Sequence, residues 1–271
     1  MKEITETKHV FWPYDVFGYL LPGAIVLSAI VTLDSPIRER VYELFSSGSW
    51  FHVIVLVVFS YITGHIVASL SSFLIERCYL KLFYGYPAAQ FLDEQTLIRK
   101  FVQNTINNPW LNLLRYPIRC IFPGYCEAWS EKYRTVLIQF YTKSIAKGTD
   151  IQIEGSSSNV FWSANVYVAE HSAFAFKYAS HFVELYGFSR NASCGFLILA
   201  MLTFSRGWNL IVNGSVVVPN MCLGFFCIIS GYLLLHNYTK LFRRHNDQML
   251  RSFMVAVCKV EEDKDTIKDD E

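Results

Sequence analysis

Charge is what this sequence has least of. Only 17% of its 271 residues are Asp, Glu, Lys or Arg and 52% are hydrophobic, whereas soluble domains carry about 25% charged residues. Disorder over most of the chain is excluded, because it requires low hydrophobicity and high charge. The 24 basic and 23 acidic residues nearly cancel, so bulk electrostatics gives no reason to expect direct nucleic-acid binding. A disulfide framework is also missing. Cys78, Cys120, Cys126, Cys194, Cys222, Cys227 and Cys258 are odd in number, scattered and without zinc spacing. They read as small apolar side chains in a reducing compartment or in lipid. No phosphate-cradling glycine loop, nucleophile elbow or kinase set occurs. Neither an enzyme motif nor a cofactor is therefore expected.

The remaining charges are unevenly placed. None falls within 16–33, 44–75, 191–205 or 207–239, and a bilayer core is crossed by about 20 apolar residues in helical form. The expected fold is all-α and multi-pass, with spans at about 15–33, 50–73, 191–208 and 221–239. The first span resembles a signal peptide only superficially. Its leader carries as much acid as base, and no small-x-small site precedes Asp34, so it is expected to stay as an anchor. Pro22 and Gly23 predict a kink whose freed carbonyl a neighbour must satisfy. Trp12, Tyr14 and Tyr19 suit the headgroup level.

In the second span Ser60, Gly64, Ala68 and Ser72 recur every four residues, which predicts a face that another helix backbone approaches closely. His65, mid-span, reads most simply as an interhelical hydrogen-bonding group, and alternatively as a proton-sensitive gate. The third and fourth spans form a hairpin marked by Asn213-Gly214-Ser215 and Pro219-Asn220. Arg206, near its tip, is placed to snorkel, the other reading being a buried functional arginine. Asp15 reads as a helix cap.

Orientation follows the basic residues at span ends. Lys240, Arg243 and Arg244 follow the fourth span, Arg190 precedes the third, and Arg77 and Lys81 follow the second, whereas 207–220 has none. Both termini are expected inside. The resulting organisation is a transmembrane hairpin at 1–75, a helical cytoplasmic insert at 76–190, a second hairpin at 191–240, and a tail at 241–271 that ends acidic and disordered.

Within the insert, helices are expected at about 93–106, 127–147 and 160–185, with prolines making 108–124 irregular. Glu170, His171, His181 and Glu184 form its best candidate catalytic or metal-binding cluster, His181 and Glu184 sharing a face at i, i+3. Surface hydrogen bonding is the plainer reading of these four. Arg115, Arg119, Lys132, Arg134, Lys143 and Lys147 lie among Trp110, Tyr116, Tyr125, Trp129 and Tyr133. That mixture suits a solvated helix face, anionic lipid or a stacked ligand, and the sequence leaves all three open.

The N-terminal run Tyr14-Asp15-Val16-Phe17-Gly18-Tyr19-Leu20-Leu21-Pro22-Gly23 carries a resemblance. It is similar to bacterial membrane proteins that begin with an Asp-x-x-Gly-Tyr-x-x-Pro-Gly signature, here Asp15, Gly18, Tyr19, Pro22 and Gly23. With its hairpin, insert and hairpin, the chain also resembles the membrane-spanning effectors of anti-phage defence operons, retrons in particular. The resemblance implies a toxic inner-membrane protein held inactive by a reverse transcriptase with its RNA–DNA product. Infection releases it to damage the membrane and kill the cell by abortive infection. Its implied partners are the lipid bilayer, further copies of the chain, and that regulatory complex. The other readings are a non-toxic membrane scaffold or transporter accessory subunit, and a membrane enzyme using His181 and Glu184.

Overall fold

The computed structural model describes residues 16–33, 35–46, 50–92, 128–145, 157–212 and 218–269, and every element among them is helical. Asp15, the helix expected at 93–106, the proline-rich 108–124 and the hairpin tip at 213–217 lie outside the described residues, as do Arg115, Arg119 and Lys147.

A π-helical turn, Val16–Leu20, leads into α1, Leu21–Leu33. Helix α2, Ser35–Ser46, follows, then α3, Trp50–Ser71, which Ser72–Tyr84 continues in π-helical geometry. Gly85 ends this run. Its φ of 70° suits a residue without a Cβ, and its N–H donates back to the Leu80 carbonyl at 2.9 Å. Pro87 then opens the short α4, Pro87–Phe91, as proline does where the first N–H has no helical acceptor. The remaining helices are α5, Glu131–Ser144, α6, Ser157–His171, α7, Ala173–Val212, and α8, Val218–Asp269.

Three differences from the sequence expectations stand out. The helix expected at 160–185 is divided at Ser172 between α6 and α7. The third and fourth apolar stretches are parts of helices of 40 and 52 residues, so the helical pattern outruns the apolar one. The tail, expected to end acidic and disordered, continues α8 as far as Asp269. Part of the reason is that its apolar residues Met249, Leu250, Phe253 and Val257 pack into a core shared with α5 and α6, and Glu261 pairs with Lys143 at 2.7 Å.

The chain divides into two compact units, Met1–Leu74 with Gly187–Leu235, and Ile75–Tyr186 with His236–Glu271. In unit 1, α1 packs on α3, and the Ser193 hydroxyl of α7 donates to the Gly231 carbonyl of α8 at 2.7 Å. In unit 2 the core gathers Leu137 and Tyr141 of α5, Val160, Ala164 and Val168 of α6, and Met249, Leu250, Phe253 and Val257 of α8. The last group belongs to the segment expected as a separate tail. Its spacing of i, i+1, i+4 and i+8 makes one stripe along a helix.

Among the described residues, three helices are long and apolar enough to cross a membrane, within 50–81, 173–208 and 218–262; a fourth is counted if 16–32 and 36–43, set at 107° to each other, form one span. The last of these holds 45 residues, roughly 67 Å at helical rise, so it extends well beyond a hydrocarbon core of about 30 Å.

Candidate functional site: a close helix crossing built by the N-terminal signature

The signature residues and the small-residue face of α3 meet. Gly18, Pro22 and Gly23 are buried on one side, Ser60, Gly64 and Ala68 on the other, and Ser72 is half-buried. A Cβ on Gly64 would stand 2.6 Å from the Tyr19 carbonyl carbon, and one on Gly23 would stand 2.9 Å from the Gly64 Cα. Such separations are incompatible with any side chain. Tyr19 and Gly23, four residues apart on one helix, therefore face Ser60 and Gly64, four apart on the other. Dispersion between backbones drives this kind of association in lipid, where apolar side chains gain nothing from leaving water.

Proline shapes the crossing too. Pro22 has no N–H to give the carbonyl four residues earlier, that of Gly18. The backbone around Gly18 opens into π-helical geometry, and Asn191 of α7 donates Nδ2 to the Gly18 oxygen at 2.8 Å. The Asn191 Oδ1 in turn accepts from the Ser71 hydroxyl at 2.6 Å and from Arg190 Nε at 3.2 Å. Asn191 is wholly buried, and it links the π-helical turn before α1, α3 and α7 through one amide. Asn191→Leu should destabilise unit 1 by about 1–2 kcal/mol, in line with interhelical hydrogen bonds measured in membranes. Reversible denaturation in detergent micelles, followed by circular dichroism, checks this, and an unchanged midpoint would refute it.

Tyr19 has a second task. Its ring stacks on His65 at 4.2 Å between centroids, and Tyr61 meets His65 edge-on at 4.6 Å. The His65 side chain is thus held between two aromatics while its residue stays exposed on the outer side of α3. Arg206 reaches the Thr32 carbonyl at 3.4 Å, near the ends of α1 and α7.

The candidate residues of the insert do not assemble into one centre. His181 and Glu184 approach to 3.8 Å as an exposed pair. His171 stacks on Tyr167 at 4.0 Å and bonds through Nδ1 to the Tyr167 carbonyl at 2.9 Å. Among the described residues, no group of three His, Cys, Asp or Glu side chains is placed to hold a metal ion. The described aromatics of the basic stretch are already engaged within unit 2. Trp129 donates Nε1 to Asp247 at 3.1 Å, and the Arg251 guanidinium lies 5.3 Å from the Trp129 ring and 5.7 Å from that of Tyr133. Asp247 binds Arg251 at 2.9 Å, and this bond holds the guanidinium pKa above its usual value.

Sequence reasoning missed Asn191, Ser71 and Tyr61. Asn191 had a signal, since it is the first residue of a charge-free stretch and an amide in lipid needs a partner. Ser71 had none, because Asn191 lies 120 residues away, whereas Tyr61 had one, since it stands one helical turn before His65 on the same helix. No family model, curated protein or solved structure matches the chain.

Proposed function

We propose that the chain is a membrane-spanning effector of an anti-phage defence system that permeabilises the bacterial inner membrane on infection. The N-terminal signature supports this reading through its resemblance to retron effectors. The observation that carries it is the contrast between the two halves of α3. From Ser60 onward one face is buried against α1. Before it, Phe51, Val53, Ile54, Leu56, Val57, Val58 and Phe59 are all exposed, and Trp50 is 82% exposed. Exposed positions on every side of those turns leave apolar surface for lipid and for a second copy of the chain at once. Association through bare apolar half-helices builds a membrane lesion without any catalytic residue.

On this reading both termini and unit 2 lie in the cytoplasm, where the basic residues after the spans favour them. A reverse transcriptase with its RNA–DNA product would restrain the effector there. The proposal is tested by expressing the protein with its neighbouring genes and following a potential-sensitive dye through phage infection. Depolarisation before lysis is expected, together with fewer released phage. An unchanged membrane potential during infection would sink it.

A further inference from the structure

A cavity of about 430 Å³ opens within unit 2, a volume in the range of small-molecule sites. Three helices wall it with matching periodicity. Phe161, Trp162 and Asn165 come from α6, Phe176, Ser180 and Val183 from α7, and Phe242, His245, Asn246 and Met249 from α8. Each set lies at helical spacing on one face.

The chemistry of this wall is one-sided. Among the described residues that line it there is no Lys or Arg, and the acidic one is Glu76. His245 is 6% exposed, and its Nδ1 lies 2.9 Å from the Ala179 carbonyl. A carbonyl only accepts, so Nδ1 carries the proton and Nε2 is left as an acceptor. Burial pushes the imidazole pKa down and keeps the ring neutral. Asn246, 2% exposed, donates Nδ2 to the Phe242 carbonyl at 2.9 Å, which leaves its Oδ1 as the accepting end. The Asn165 Oδ1 is buried with no hydrogen-bond partner among the described residues. Three neutral acceptors thus lie among aromatic walls supplied by Tyr86, Phe161, Trp162, Phe176, Tyr186 and Phe242.

An anion meets no cationic partner among the described residues of this wall. A purely apolar ligand would bury the acceptors unpaired, at a cost in free energy. A cation carrying N–H donors satisfies the acceptors and is attracted to ring faces. We infer that the unit 2 cavity is a binding site for a small organic cation, an ammonium or guanidinium with N–H donors and an apolar body. Nothing in this inference depends on membrane permeabilisation, and the site would serve any function of the chain.

The full chain in non-ionic micelles tests it, with phenethylamine as the probe and 2-phenylethanol and 3-phenylpropionate as near-isosteric neutral and anionic controls. Intrinsic tryptophan fluorescence, to which Trp162 contributes, and thermal unfolding report binding. Phenethylamine should saturate and bind about tenfold tighter than the alcohol, with the carboxylate weaker still. His245→Phe should weaken the amine about fivefold or more. Ser180→Leu, which fills the cavity from α7, should abolish binding without lowering the unfolding temperature, and keeps the test decisive if His245→Phe fails to fold. Equal binding of amine and alcohol, preference for the carboxylate, absence of saturation, or full amine binding to Ser180→Leu would each overturn the assignment.

Discussion

Gly64→Ala should disrupt the α1–α3 crossing, lowering the stability of unit 1 by about 3 kcal/mol, at the upper end of what overpacking a well-packed site costs. Alanine is normally the better helix former by about 1 kcal/mol, so intrinsic propensity predicts the opposite sign. Geometry decides the matter. The added methyl would overlap the Tyr19 carbonyl, which is backbone and cannot swing aside as a side chain would. Relief requires the helices to separate, and separation removes the Tyr19–His65 stack and strains the Asn191 bond to Gly18. Gly64→Leu should leave no native crossing at all. Ser69→Ala is the control, since Ser69 lies on the exposed side and donates to the His65 carbonyl of its own helix; its effect should stay within about 0.5 kcal/mol. Denaturation in micelles measures all three. A Gly64→Ala protein as stable as the parent would show that the helices do not meet as described. If the proposed function holds, the same substitution should remove protection against phage in proportion to the folded protein lost.

The close crossing was partly legible in the sequence because steric demands leave a trace in composition. Residues that must be small recur every four positions, and Ser60, Gly64 and Ala68 announced their face. The other side was written in the signature, where Gly18, Pro22 and Gly23 are each a residue with a special backbone property. What periodicity does not reveal is which face meets which. Tyr19 and His65 stack across a long sequence separation, and nothing local to either residue encodes the pairing. Asn191 is similar, since its role depends on the carbonyl that Pro22 leaves without its usual donor.

Charge gaps located the apolar helices well but bounded them poorly. A gap marks where lipid forbids charge, whereas a helix ends where capping or packing ends it. Helix α7 therefore starts at Ala173 and α8 runs to Asp269, far outside 191–208 and 221–239. The same emphasis concealed the walls of the cavity. Its three stripes are ordinary helical periodicities of aromatic and amide residues, each indistinguishable from a core face until the three are seen together. His245 is hidden in the same way among the charges that follow the fourth span, although its ring is buried and bonded to the Ala179 carbonyl.

The C-terminal segment is acidic at its end, but its apolar residues decide its structure, and Phe253 makes this measurable. Its side chain is fully buried, its ring meets Tyr167 edge-on at 5.3 Å, and Met249, Leu250 and Val257 extend the same stripe into the core with Leu137 and Val168. Phe253→Ala removes a ring that neighbouring helices cannot replace without shifting, so unit 2 should lose about 3–5 kcal/mol, the usual cost of such truncations. With a urea dependence of about 2 kcal/mol per molar, the unfolding midpoint should fall by roughly 2 M. Pulse proteolysis of the full chain across a urea series reads this directly, through cleavage within 75–186 and 236–271. Val255→Ala, two residues on and 61% exposed, should leave the midpoint nearly unchanged. A tail that is merely solvated would give both variants the same midpoint as the parent. A large shift for Phe253→Ala alone requires the last helix to be part of the core of unit 2, so that deleting 241–271 would unfold that unit rather than trim it.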